Sequence, residues 1–177
     1  MLRKSFRPEY PTADEGGKIH AMKPDNALEK RLSALKGRRL SKGETQELTS
    51  SLKKAVPPWL TTFLSAYPII GVSFTLSEKE DRSGLGVEME WLTSDDMISE
   101  AKHAYPGIPA LVMGYLPIGS CLSGTGDYYY ISARAGEDPP VLRIPHDSVV
   151  DDEHIDESQI EIVAPSLGDF LKRARIS

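Results

Sequence analysis

Residues 115–132 read YLPIGSCLSGTGDYYYIS. An apolar run from Tyr115 to Leu122 breaks at Ser123-Gly124-Thr125-Gly126-Asp127 and resumes at Tyr128-Tyr129-Tyr130-Ile131. Two β-prone runs around a glycine-rich turn are the signature of a hairpin whose glycines supply positive φ. A phosphate-binding glycine loop needs a helix after it, so that the first-turn N–H groups face the anion. Here a strand follows, and the turn is read as structural.

Downstream, Pro139-Pro140 opens another strand over Val141–Ile144, and Asp151–Glu157 forms an acidic loop. Ile160 and Ile162 alternate in a short extended segment. Ser166 caps a last helix with Leu167, Phe170, Leu171 and Ala174 inward and Lys172, Arg173 and Arg175 at its carboxyl end. Upstream, Thr93 or Ser94 opens a helix through DDMISEAKHAY, and Ala110–Gly114 is read as a short strand. Val87, Met89 and Trp91 alternate with Glu88 and Glu90, the pattern of a half-buried strand. Residues 69–78 pair with it across a polar turn at 79–84. Three helices precede them. The first is capped by Asp25, with Leu28, Leu32 and Leu35 on one face. The second spans about Glu44–Lys54. The third is short, follows Pro57-Pro58, and carries Trp59, Leu60, Phe63 and Leu64. Helices before and after a central run of strands indicate a single α+β domain over residues 25–177, built on a mostly antiparallel sheet flanked by helices. Residues 1–24, with three prolines and little apolar periodicity, read as a flexible arm.

The chain has 177 residues and one cysteine, Cys121, which excludes an internal disulfide and fits a reducing cytoplasm. The basic N-terminus lacks an apolar stretch after it, so no secretory signal is expected, and no run is apolar enough for a membrane span. The net charge of −5 is uneven. Residues 1–57 carry 13 basic and 7 acidic side chains; residues 58–177 carry 8 and 19. An acidic surface repels phosphates and attracts basic proteins. Arg38, Arg39, Lys42, Lys53 and Lys54 lack the interleaved aromatics of a nucleic-acid site. No nucleic-acid or membrane partner is therefore expected.

Chemistry-bearing motifs are sparse. Cys121 with His146 and Asp147 has the residue types of an activated thiol, but an apolar strand is where a thiol is ordinarily inert packing. The run Asp151–Glu157 lacks the spaced ligands and central glycine of a calcium loop. No catalytic, cofactor or metal site is expected.

Five segments carry a resemblance to a known family. LKKAVPPWLTTFLSAYP, residues 52–68, resembles the opening of the SUKH superfamily, also called the Smi/Knr family. LPIGSCLSGTGDYYYIS is similar to that family's core hairpin, PPVLRIPHD to its next strand, and EIVAPSLGDFLKRA to its closing helix. EWLTSDDMISEA is similar to the helix start of bacterial members. The resemblance covers about residues 44–176 and departs from the family pattern at Ile70-Gly71, where Asn-Gly or Gly-Gly is usual. It implies a non-catalytic α+β protein. Bacterial members are immunity proteins that bind and neutralise a cognate toxin, often a nuclease or deaminase; fungal members are interaction modules. The expected partner is a basic protein toxin, met in the cytoplasm by a monomer or homodimer. The expected contact residues are Asp127, Tyr128, Glu137, Asp138, Asp147, Asp151, Asp152 and Glu153. An interaction module unconnected with toxins, and an enzyme using Cys121, are the competing readings.

Overall fold

The computed structural model describes residues 24–177. The arm read over residues 1–24 lies, but for Pro24, outside the described residues. Helix α1 (Asn26–Ser33) starts where the Asp25 carboxylate accepts the Leu28 N–H at 2.9 Å, and it buries Leu28 and Leu32. Helix α2 (Lys42–Leu52) is opened by a reciprocal capping box between Ser41 and Glu44 and buries Leu48 and Leu52. Helix α3 (Pro58–Ala66) has proline at its first position, where no N–H partner is lost, and buries Leu60, Phe63 and Leu64. Strands β1 (Ser73–Leu76) and β2 (Val87–Trp91) form the expected hairpin, with Glu88 and Glu90 exposed between buried Val87, Met89 and Trp91. Thr93 caps α4 (Ser94–His103).

Next comes a departure from the sequence reading. Residues 110–114 are not a strand: helix α5 spans Gly107–Met113 and is closed by Gly114 at φ 90°. Ala-Leu-Val-Met is apolar on every face, so periodicity cannot separate a buried strand from a buried helix. Pro109 falls in the first turn, where its missing N–H costs no hydrogen bond.

Strands β3 (Tyr115–Cys121), β4 (Tyr129–Ser132), β5 (Val141–Arg143) and β6 (Glu161–Ala164), helix α6 (Leu167–Arg173) and strand β7 (Arg175–Ile176) complete the chain. Arg175, read as the end of the last helix, instead pairs with Thr75 in β7. The seven strands form one antiparallel sheet in the order β6-β5-β4-β3-β2-β1-β7. The protein is an α+β fold with an antiparallel sheet flanked, among the described residues, by six α-helices.

The register sorts side chains between two cores. Leu116, Ile131 and Val141 are paired neighbours and join Phe74, Met89, Trp91 and Phe170 in the main core. Phe74 lies edge-on to Trp91 with centroids 6.4 Å apart, and 5.8 Å from Phe170. On the opposite face Tyr115, Tyr130, Leu142 and Ile144 meet Ala110 of α5 and Ile155 of the long β5–β6 connection.

The β1–β2 connection folds back across the sheet. The Arg82 N–H donates to the Val163 carbonyl at 2.9 Å, which joins this loop to β6 at the far edge. Arg143 holds the loop from inside: its guanidinium donates to the Gly86 carbonyl at 2.6 Å and faces the fully buried Asp81 carboxylate at 3.5 Å.

Candidate functional site

The β3–β4 turn is as its glycines predict, with Gly124 at φ 85° and Gly126 at φ 79°. It delivers Asp127 to the start of β4, where one carboxylate oxygen accepts both the His146 N–H at 3.2 Å and His146 Nδ1 at 3.1 Å. Tyr128 is half-buried and packs against both cores. His146, Asp147 and Ser148 form a 3₁₀ turn after Pro145, so Asp147 emerges beside the Asp127–His146 pair.

The acidic loop is anchored rather than free. Val149 bridges to Ile155, Ile155 is buried, and the Asp156 N–H donates to the Ser148 carbonyl at 2.7 Å. Asp151 accepts from the Glu153 N–H and from His154 Nδ1, each at 2.8 Å. These bonds, the Glu153 N–H foremost, hold the Asp151 carboxyl below its ordinary range. Asp152 accepts the Tyr105 hydroxyl, which draws the loop onto the α4–α5 connection. Glu153 is exposed at the tip.

Beneath this side lies a buried acid. Glu100 is 5% exposed and accepts the Tyr130 hydroxyl at 2.7 Å. Burial pushes its carboxyl above the ordinary value, against the opposing pull of Tyr130, His146 and the Gly107 N–H. Burial, then the Glu100 and Asp96 charges, likewise raise the Tyr128 phenol. A raised folded-state pKa means that the folded chain holds the proton more tightly than the unfolded chain does. The contribution of Glu100 to stability is therefore fullest below about pH 4.5 and is lost as pH rises through its folded-state value. Glu100→Gln keeps a neutral acceptor for Tyr130. It is expected to melt higher than wild type at pH 8 and to lose that advantage at pH 4, measured by thermal unfolding across pH.

The structure thus gathers Asp127, Tyr128 and Asp147 around His146 and fixes Asp151, Asp152 and Glu153 on the connection that follows. It does not bring Glu137 and Asp138 to them. These two lie in the β4–β5 turn, at the other end of β4. There Asp138 accepts the Gly168 N–H at 2.7 Å, so its carboxylate holds the start of α6. Glu137 is half-buried beside it.

Cys121 packs against the main core, as its apolar strand suggests, but it ends β3 only partly buried, with Sγ 3.1 Å from the Ser123 hydroxyl and 3.2 Å from the Thr125 hydroxyl. Burial raises the thiol, but the hydrogen bonds from Ser123 and Thr125 outweigh it and the net direction is down. His146, the base such a thiol would need, is paired through Nδ1 with Asp127 rather than with Asp147. Among the described residues no group of three or more His, Cys, Asp and Glu is placed to hold a metal, and no helix is long and apolar enough to cross a membrane.

Sequence reasoning missed the Arg143–Asp81 pair. The available signal was an arginine inside an otherwise apolar, Pro-bounded strand, PPVLRIP. Such a residue is either a strand end in water or a buried cation with a partner.

Comparison with protein families matches residues 39–173 to the model of the SMI1 / KNR4 family (SUKH-1). Neither comparison with curated proteins nor comparison with solved structures yields a match.

Proposed function

The chain belongs to the SMI1 / KNR4 family (SUKH-1), and from this premise we propose that it is an immunity protein that binds and neutralises a basic protein toxin. Membership supports an immunity or interaction role in general. The observation that carries the finer reading is the charge: residues 58–177 hold 19 acidic against 8 basic side chains. A nuclease or deaminase toxin must attract phosphate with a basic cleft, and an acidic binder is steered to the same cleft. Asp127, Asp147, Asp151, Asp152 and Glu153 are acids on the β3–β4 and β5–β6 connections, where a partner would meet them. In this reading the protein works in the cytoplasm, one copy per toxin, and needs no chemical step.

Co-expression with the toxin encoded beside its own gene tests this. Cells making both proteins are expected to survive, with a complex that persists through gel filtration, and Cys121→Ala is expected to protect as well as wild type. Death despite full expression, with no complex, sinks the proposal. Survival that depends on the Cys121 thiol turns it toward catalysis.

A further inference from the structure

The face of the sheet that is covered over β4 and β5 stays open over β1 and β2. Met89 and Trp91 point into the main core, so Glu88 and Glu90 stand on the other side, both exposed. Here lies a cleft of about 400 Å³ lined by Thr75, Glu78, Leu85, Glu88, Ser123 and Arg175, among others.

Leu85 lines this cleft and is 63% exposed; Leu122, 52% exposed, lies outside the lining and directly precedes Ser123, which belongs to it. Leu85 is held there by the backbone: Gly84 and Gly86 on either side both sit at φ 80°, and the Gly86 carbonyl is bonded by Arg143 from within. Leu122 continues the β2–β3 ladder, its N–H donating to the Glu88 carbonyl at 2.8 Å, and so stands beside Ser123 at the rim. Apolar side chains held in water next to carboxylates contribute nothing to the core. They suit a partner that supplies both apolar and cationic groups. The lining carboxylates Glu78 and Glu88 outnumber Arg175, whose side chain is 75% exposed and faces Glu80 at 4.0 Å; Glu90 stands on the same face of β2 beyond the lining. The charge complement is therefore basic.

We propose that this cleft is a docking surface for an extended basic segment of a partner protein, with an apolar side chain seated between Leu85 and Leu122 and flanking Lys or Arg side chains meeting Glu88 and Glu90. The proposal rests on the binding role above and assigns it a surface that none of the acidic connections provides. A polyanion is repelled by the same carboxylates.

The test uses the full chain, isotope-labelled, titrated with the peptide acetyl-Lys-Leu-Arg-Leu-Lys-amide and followed by amide chemical shifts. The expected shifts fall on Thr75, Glu88 and Ser123. A peptide of equal charge with Ser in place of Leu is expected to bind about tenfold more weakly, as are the chains Glu88→Lys and Leu122→Asp against the first peptide. The chain Asp152→Asn/Glu153→Gln is expected to bind within about twofold of wild type. Equal binding of the two peptides, shifts confined to residues 151–153, or self-association of the chain through this face each overturn the assignment. If the chain protects cells from its toxin while the peptide result is negative, the surface is wrong and the function stands. If the peptide docks as stated and no toxin is neutralised, the converse holds.

Discussion

Arg143→Ala is expected to cost about 3–5 kcal/mol of unfolding free energy, the largest effect of any single charged residue discussed above. The Arg143 side chain is 5% exposed and that of Asp81 is fully buried, their charges 3.5 Å apart. The same guanidinium donates to Glu161 at 2.8 Å, to Ser83 Oγ at 3.1 Å and to the Tyr129 hydroxyl at 3.2 Å, and lies 5.2 Å from the Tyr129 ring centroid. Truncation leaves Asp81 with only the Ser83 N–H and hydroxyl for partners and releases the Gly86 carbonyl. An uncompensated buried carboxylate is worse than no ion pair at all. The double change Arg143→Met/Asp81→Asn should therefore recover a large part of the loss. Urea unfolding of the three variants against wild type measures this, and the single variant should melt roughly 10 °C lower. A cost under about 1 kcal/mol for Arg143→Ala would show that water already solvates the pair.

Gly107→Ala is expected to cost at least about 3 kcal/mol. A Cβ at this position would stand 1.9 Å from the Glu100 carbonyl oxygen and 2.6 Å from its carbon. Both are backbone atoms of α4 and cannot rotate away. Helix α5 would have to move off α4, loosening the Glu100–Tyr130 bond beneath. Gly43→Ala is the matching control. Nothing lies within 4 Å of its Cβ position, and it sits inside α2, so alanine should stabilise by roughly 0.5–1 kcal/mol. Chemical unfolding reads both signs, and faster amide exchange in α5 of the Gly107 variant distinguishes a displaced helix from a general loss of stability.

Most elements were legible because they announce themselves locally. Asp25, Thr93 and Ser166 cap the helices that follow them as the sequence indicates, and Glu88 and Glu90 mark the wet side of β2. Helix α5 was not legible, because four consecutive apolar residues have no period and a closing glycine serves a turn as well as a helix. Strand β7 was not, because two residues carry no pattern. The fold-back of the β1–β2 loop onto β6 joins residues about eighty positions apart, and nothing local signals it. For the site, neighbouring strands did the work. Because β4 and β5 pair, Asp127 and Asp147 had to emerge at the same end of the sheet, and they do. Glu137 and Asp138 share only polarity with the other acids, and the two ends of a strand lie apart. The apolar neighbours of Cys121 signal its packing on the core, but as the last residue of β3 it shares the exposure of the turn.

The contact between Arg82 and Val163 bears on how the protein behaves when crowded. A sheet with free edges is a template on which further chains can add strand by strand, the first step toward fibrils. Here β6 is partly occupied at one edge by the backbone of Arg82, and at the other edge β7, which follows helix α6, offers only two residues. Edge-to-edge addition of further chains is thereby disfavoured. Local opening of the 77–86 loop would be the event that exposes β6 and begins aggregation, well before the main core comes apart.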